Sequence, residues 1–160
     1  MEQGNEVELP CFVFGLVQFV VELQSMKRNL SHVLKQKMPT LKKFFASDPR
    51  LLGVWLFGSQ ADGTATSQSD IDLAVLFDHE LNPKEEIKFQ VAISEILDSD
   101  DVDVVDLNRA FLPFRFRAIS GRLLYERDYT QVSDFVERTL IEQRDFEPRA
   151  RQALRDFFVT

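Results

Sequence analysis

Two apolar runs separated by a polar loop shape the fold of this 160-residue chain more than any other part of its sequence. The first run, LLGVWLFG, covers residues 51–58, and the second, DIDLAVLF, covers residues 70–77. Short runs rich in branched and aromatic residues, with turn-forming residues at their ends, are typical of buried β-strands. The sequence therefore predicts two neighbouring strands that are joined by a loop rich in Gly, Ser and Thr.

Helical patterns surround these two strands. Residues 31–46 carry apolar side chains at spacings of three and four, which is typical of one buried helical face, although Pro39 predicts a break or a kink. A second helix is expected to start after Asn82, because Asn82 suits the N-cap, Pro83 the first helical position and Glu85 the third. This helix is predicted to end at about Leu97.

The rest of the chain predicts two more strands and a helical tail. VDVVDL, residues 102–107, is a third strand, GRLLYERD contains a short fourth strand, and residues 129–160 are expected to be helical. The predicted fold class is α/β, with a small mixed sheet, helices mainly on one face, and C-terminal helices. We divide the chain into an N-terminal extension at residues 1–30, a core domain at 31–128 and the C-terminal tail at 129–160.

The charge balance limits the classes of partner. The chain has 19 Lys and Arg against 26 Asp and Glu, which gives a formal net charge of -7. Proteins dedicated to nucleic acids usually carry a basic surface that neutralises phosphates, so direct nucleic-acid binding is not expected. A protein or a small-molecule partner is favoured instead.

The N-terminal region predicts neither a membrane span nor a signal peptide. The apolar segment at residues 11–23 is shorter than the roughly 20 residues that cross a bilayer. Glutamates precede it where a signal peptide carries positive charges. The single cysteine, Cys11, excludes an internal disulfide and suits a reducing compartment, so a cytoplasmic location is expected.

A pair of aspartates opens the second predicted strand. Asp70 and Asp72 are one residue apart, so in a strand they point to the same side, roughly 6.5–7 Å apart at Cα. Two carboxylates this close repel each other unless a cation offsets their charge, and an all-oxygen site favours Mg²⁺. The alternative is a pair of solvated aspartates at a strand end.

A third carboxylate is expected from the strand at residues 102–107. Asp101 and Asp103 share one side of this strand, whereas Asp106 lies on the other. Asp103 is the preferred candidate because it lies inside the strand. Its predicted role is to share the metal and to accept the proton of an attacking hydroxyl.

The Gly-Ser turn at the end of the first strand suits a phosphate group. Gly58 lets the backbone approach a ligand closely, and the Ser59 hydroxyl and the following N–H groups can hold phosphate oxygens. A phosphate site that faces a metal site is the equipment of phosphoryl or nucleotidyl transfer, in which positioning and charge neutralisation do most of the catalysis.

This pattern, Gly-Ser followed after ten residues by Asp-Ile-Asp, resembles the signature of the DNA polymerase beta-like nucleotidyltransferase superfamily. The segments VWLFGS, SDIDLAVLFD and VDVVDLN are similar to its minimal (MNT) branch. LNRAFLPFRFRAISGRLLYERD and the helical tail resemble MntA-type antitoxins, which are encoded beside a HEPN toxin.

The resemblance implies a function for each candidate residue. It implies that Gly58 and Ser59 contact the nucleotide and that the three aspartates bind Mg²⁺, namely Asp70, Asp72 and Asp103. It also implies ATP as the substrate and transfer of AMP to a tyrosine hydroxyl of the HEPN RNase, which inactivates that toxin.

One position departs from the family pattern and keeps two alternatives open. Many relatives have GSxARG where this chain has GSQADG, with Asp62 in place of a basic residue. A carboxylate there opposes triphosphate binding, so one alternative is a weak or inactive antitoxin that acts by binding alone. The other is a small-molecule nucleotidyltransferase, although the chain is short for the second domain that usually forms such a substrate pocket.

Overall fold

Five helices and four strands form the part of the chain that the structure, a computed structural model, describes: residues 32–62 and 69–158. In chain order they are α1 (His32–Ser47), β1 (Leu51–Phe57), α2 (Gly58–Asp62), β2 (Ile71–Phe77), α3 (Pro83–Leu97), β3 (Val102–Asp106), α4 (Leu112–Ile119), β4 (Arg122–Glu126) and α5 (Tyr129–Phe158). The N-terminal extension, with its apolar segment at residues 11–23, lies outside the described residues. Within the described ranges, no helix is both long and apolar enough to cross a membrane. The division into three parts stays a prediction.

The four strands form one mixed sheet in the order β3-β2-β1-β4. Strand β1 is antiparallel to both of its neighbours, β2 and β4, whereas β2 and β3 are parallel. All seven residues of β1 are buried, which explains why its sequence is a continuous apolar run. The predicted α/β fold class with a small mixed sheet is confirmed.

Helices cover both faces of this sheet, which corrects the prediction that they lie mainly on one. On one face, α1 and α3 pack over Val54 and Leu56; on the other, α4 and α5 pack over Trp55 and Phe57. Successive residues of β1 point to opposite faces, and all of them except one glycine are apolar. Each face therefore presents apolar surface that must be removed from water.

Helix α1 continues through Pro39, so the break that the sequence predicts as one alternative is absent, and the other alternative, a kink, stays a prediction. Leu34 and Leu41 are fully buried on either side of this residue, while Pro39 itself is exposed. Proline costs the helix a hydrogen bond, but packing of the apolar face before and after it stabilises the helical turns.

The start of α3 agrees with the prediction. Asn82 accepts hydrogen bonds from the backbone N–H groups of Lys84 and Glu85, at 3.0 and 3.1 Å. The Glu85 carboxylate accepts the reciprocal bond from the Asn82 N–H at 3.1 Å. These bonds form a capping box, and α3 ends at Leu97 as predicted.

Helices α2 and α4 are not among the predicted elements. α2 is a single short turn of five residues. α4 begins after Phe111, which makes no side-chain cap, and its residues 114–117 alternate between Phe and Arg with the period of a strand. Its helical form depends on packing, because Phe114, Ala118 and Ile119 cover the sheet.

Arg127 joins the end of α1 to the start of β1. Its Nη2 donates to the carbonyl oxygens of Ala46 and Asp48 at 2.9 and 2.8 Å, and its Nε donates to that of Leu51 at 3.0 Å. The last carbonyl groups of a helix have no partner inside the helix. The guanidinium therefore supplies hydrogen bonds that α1 cannot make itself.

Arg127→Ala is expected to lower the free energy of unfolding by about 2 kcal/mol, because hydrogen bonds from a charged donor contribute about 1.5–3 kcal/mol. Urea unfolding measures this change. Arg138→Ala is the control, since Arg138 is an exposed residue of α5, and it is expected to change stability by less than about 0.5 kcal/mol. Equal losses in the two variants would contradict the role given to Arg127.

Candidate active site

Asp72 and Asp103 lie side by side on neighbouring strands. They are Cα partners in the parallel pairing of β2 with β3, where adjacent strands lie about 4.8 Å apart. Phe57 is the partner of Asp72 on β1, so these residues share the sheet face that α4 and α5 cover. Asp70 is exposed just before β2. The structure thus brings the three predicted aspartates to one end of β2.

Gly58 lies directly against the Asp72 carboxylate. Its φ of 68° is left-handed, a conformation that favours glycine. A Cβ atom at this position would also collide with the Oδ2 atom of Asp72. Ser59 follows in α2 and is partly buried. The predicted phosphate turn and the predicted metal-binding strand therefore meet at one point.

Gln60 closes the loop between the Gly-Ser turn and the aspartates. It is only 6% exposed, and its Nε2 donates to the carbonyl oxygen of Ser69 at 3.3 Å. This bond joins the two ends of the loop. Residues 63–68 of the loop and the side chain of Asp62 lie outside the part of the chain that the structure describes. Sequence reasoning missed Gln60, because a glutamine in a polar loop carries no signal of burial. The effect of Asp62 on nucleotide binding stays a prediction.

Asp106 is buried in a structural position, away from Asp103. It is 3% exposed, and its carboxylate accepts hydrogen bonds from the N–H groups of Asn108 at 2.9 Å and Leu81 at 3.4 Å. Asp103 is exposed and lies on the same face as Asp72. This geometry supports the choice of Asp103 over Asp106.

The pKa of the Asp72 carboxyl is raised above its ordinary value. Burial is the largest cause, because it removes water from the charged form, and the negative charges of Asp103 and Asp70 add to it. The positive charge of Arg117, on α4, acts in the opposite direction. The site therefore holds more negative charge than its neighbouring cation offsets, which favours a bound cation.

The donor set of this site suits Mg²⁺. Its ligands would be carboxylate oxygens, and Mg²⁺ commonly uses one or two protein carboxylates together with water and substrate phosphates. Among residues 32–62 and 69–158, no three His, Cys, Asp or Glu side chains form a group that could hold a metal ion. A cation bound at Asp72 and Asp103 therefore needs further oxygen ligands, and a triphosphate carries them.

Asp72→Asn is expected to raise the free energy of unfolding at neutral pH in the presence of EDTA. When a carboxyl has a higher pKa in the folded than in the unfolded chain, the folded chain loses stability as the pH rises above 3.8, the ordinary pKa of an aspartate. Asparagine has no proton to lose, so its advantage should disappear below pH 3.8. Urea unfolding over a pH series measures the difference, with exposed Asp101→Asn as the control. Equal stability of Asp72→Asn and the parent at neutral pH would contradict the unfavourable burial and charge repulsion of the Asp72 carboxylate.

Comparison with known proteins places this geometry in a family. Residues 39–130, more than half of the chain, match the family model described as Polymerase beta, Nucleotidyltransferase. The chain is also 33% identical over 128 residues to Protein adenylyltransferase MntA of Aphanizomenon flos-aquae (strain 2012/KM1/D3), covering 74% of this chain and 79% of that protein.

Solved structures show the same fold. A chain of a toxin-antitoxin crystal structure with AMP-PNP is 28% identical, with a TM-score of 0.63 and coverage of 78% of this chain and 98% of that chain. A chain from a complex of tri-AMPylated Shewanella oneidensis HEPN toxin with MNT antitoxin is 25% identical, with a TM-score of 0.61 and coverage of 79% and 98%. The matched family segment runs from within α1 to the start of α5 and contains every predicted site residue. Because this segment is more than half of the chain, the chain belongs to the polymerase beta nucleotidyltransferase family.

Proposed function

We propose that this nucleotidyltransferase is an antitoxin that transfers AMP from ATP to a tyrosine hydroxyl of a HEPN-type RNase toxin and thereby inactivates it. The observation that carries the proposal is the contact of Gly58 with Asp72, beside Asp103, which joins a phosphate-binding turn to paired carboxylates. The relatives supply the chemical class: a protein adenylyltransferase, a toxin-antitoxin structure with AMP-PNP, and an antitoxin complex with a tri-AMPylated HEPN toxin.

Gly58 and Ser59 hold the triphosphate in this proposal. The close approach of the Gly58 backbone to Asp72 supports it, because phosphate oxygens bound at the turn would lie beside the carboxylates. Asp72 and Asp103 would hold Mg²⁺ together with phosphate oxygens, Asp70 would join them once the nucleotide is bound, and the cation would neutralise negative charge on the phosphates. The raised pKa of Asp72 supports this part of the proposal, since burial and then the charges of Asp103 and Asp70 disfavour the ionised carboxylate, and a bound cation would offset both.

The reaction is a displacement at the α-phosphorus of ATP. The tyrosine oxygen forms a bond to this phosphorus, the bond from the phosphorus to the α–β bridging oxygen breaks, and pyrophosphate leaves with the electron pair. Asp103 accepts the hydroxyl proton at a carboxylate oxygen. Asp103 suits this role because it is exposed, so that a side chain of a partner protein could reach it, and because it is adjacent to Asp72.

The proposed setting is the cytoplasm, in a hetero-oligomer with the HEPN toxin and without direct contact to nucleic acid or membrane. The net charge of -7 supports the absence of a nucleic-acid surface. The single cysteine supports a reducing compartment.

Incubation of the chain with ATP, Mg²⁺ and the HEPN-type protein encoded beside it is expected to add AMP to a tyrosine of that protein. Intact-protein mass spectrometry measures the addition, and peptide mass spectrometry identifies the modified residue. Asp72→Asn is expected to slow the transfer about a hundredfold or more, because it removes a charge that positions the metal and the triphosphate.

Asp101→Asn is the matched control for this experiment, since Asp101 is an exposed aspartate just before β3, and it should keep the rate of the parent. The enzymatic proposal fails if the parent adds no AMP and Asp72→Asn neutralises the toxin equally well. That result would favour inhibition by binding alone. AMP found only on residues other than tyrosine would contradict the proposed acceptor.

Gly58→Ala is expected to lower both stability and transfer. A left-handed backbone costs a residue with a Cβ atom about 1–2 kcal/mol, and the added methyl group would displace Asp72. Ser59→Ala is the comparison, because it removes only a hydroxyl and should leave the free energy of unfolding within about 0.5 kcal/mol of the parent. Urea unfolding and the AMP-transfer assay measure the two effects. A Gly58→Ala variant with the rate of the parent would show that the Gly58 contact is not needed.

A further inference from the structure

Arg117 lies on α4, the helix that packs over the same sheet face as Asp72 and Asp103. Phe57, the Cα partner of Asp72, contacts Phe114 of α4 edge to face, with the ring centroids 5.2 Å apart and the planes at 82°. This contact places α4 over the end of β1 where the site lies. Arg117 follows Phe114 by three residues, so the two side chains are neighbours on the same side of α4.

The chain after α4 also contacts the end of β1. Gly121 packs so closely that a Cβ atom there would collide with the carbonyl oxygen of Leu56, and Phe57 is the next residue. Only glycine allows two backbone segments to approach this closely. Helix α4 is therefore anchored to the site end of β1 both before and after Arg117.

Arg117 differs from two neighbouring arginines, Arg109 and Arg115, which form ion pairs. Arg109 pairs with Glu86 at 3.1 Å and Arg115 pairs with Glu142 at 2.9 Å. Arg117 is exposed and forms no ion pair with the Asp and Glu side chains of residues 32–62 and 69–158. Its helix is held against the site end of β1 by the Phe57–Phe114 contact and by the close approach of Gly121 to Leu56. The site thus has a nearby guanidinium whose hydrogen-bond donors remain available to a ligand.

We infer that Arg117 binds the β- and γ-phosphates of the nucleotide and stabilises pyrophosphate as it leaves. The inference rests on the proposed function and names a residue that contacts the substrate of that same site. The planar fork of a guanidinium fits two phosphate oxygens at once. Transfer moves negative charge onto the leaving pyrophosphate, so a cation that contacts it lowers the barrier. Arg117 keeps its proton throughout, because arginine is not deprotonated in proteins.

Nucleotide binding in the absence of any acceptor protein tests this contact. The probe is an ATP analogue with a methylene group in place of the α–β bridging oxygen, which cannot transfer AMP. In isothermal titration calorimetry with Mg²⁺, Arg117→Ala is expected to weaken binding of this analogue about tenfold to a hundredfold. Binding of AMP, which has neither a β- nor a γ-phosphate, is expected to remain equal to that of the parent. Arg117→Lys should recover part of the loss, because it restores the charge without the fork.

Arg122→Ala is the matched control. Arg122 is also exposed and without an ion pair among the described side chains, but its Cα partner is Leu56, on the opposite face of the sheet. It is expected to bind the analogue as the parent does. Unchanged binding in Arg117→Ala would overturn the inference, and equal weakening of analogue and AMP binding would show a structural role instead.

The same experiment separates this inference from the proposed function. A parent chain that binds the analogue but adds no AMP to the HEPN-type protein would contradict the proposed function. The affinities of Arg117→Ala for the analogue and for AMP would still decide the role of Arg117. A parent chain that does not bind the analogue would overturn both. Where transfer occurs, Arg117→Ala is expected to raise the KM for ATP and to lower kcat.

Discussion

The pairing of Phe57 with Asp72 across β1 and β2 is the constraint on which the site depends. It sets the Gly58 backbone against the Asp72 carboxylate, and the parallel pairing of β2 with β3 adds Asp103 beside it. A shift of one residue in this register would turn Asp72 into the core between the sheet and α1, and Leu73 out of it. The same register therefore specifies both the core and the site.

The two faces of the sheet have different tasks. The face under α1 and α3 is mostly apolar and contributes stability, and its buried carboxylate, Asp106, accepts backbone hydrogen bonds. The face under α4 and α5 is apolar along most of β1 and β2 but ends in the carboxylates. Partial burial of Asp72 on this face raises its pKa, so the folded chain holds unfavourable charge at the position where a cation and a nucleotide would offset it. An acidic site can bind a triphosphate only with cations, so the proposed Mg²⁺ ion and the proposed contact with Arg117 would both serve to bind the nucleotide.

Much of the fold follows from local patterns. The strands β1 and β2 follow from their apolar runs, and the start of α3 follows from the capping box at Asn82. Helix α4 could not be predicted in the same way, because its alternation of Phe and Arg is typical of a strand and its N-cap has no side-chain bond. The sequence predicts a break or a kink at Pro39, and the break is absent for a related reason, since Leu34 and Leu41 pack into the core and stabilise the helix on both sides.

The sequence by itself determined the α/β class, the residues Gly58, Ser59, Asp70 and Asp72 as candidates, and the preference for Asp103 over Asp106. Each of these depends on the period of a strand or on spacing along the chain, which neighbouring residues set. Only the tertiary structure decided that both faces of the sheet are covered, that Gln60 closes the motif loop, and that Arg117 lies near the carboxylates. These features depend on contacts between segments distant in sequence, such as Phe57 with Phe114, and such contacts leave no periodic signal in the chain.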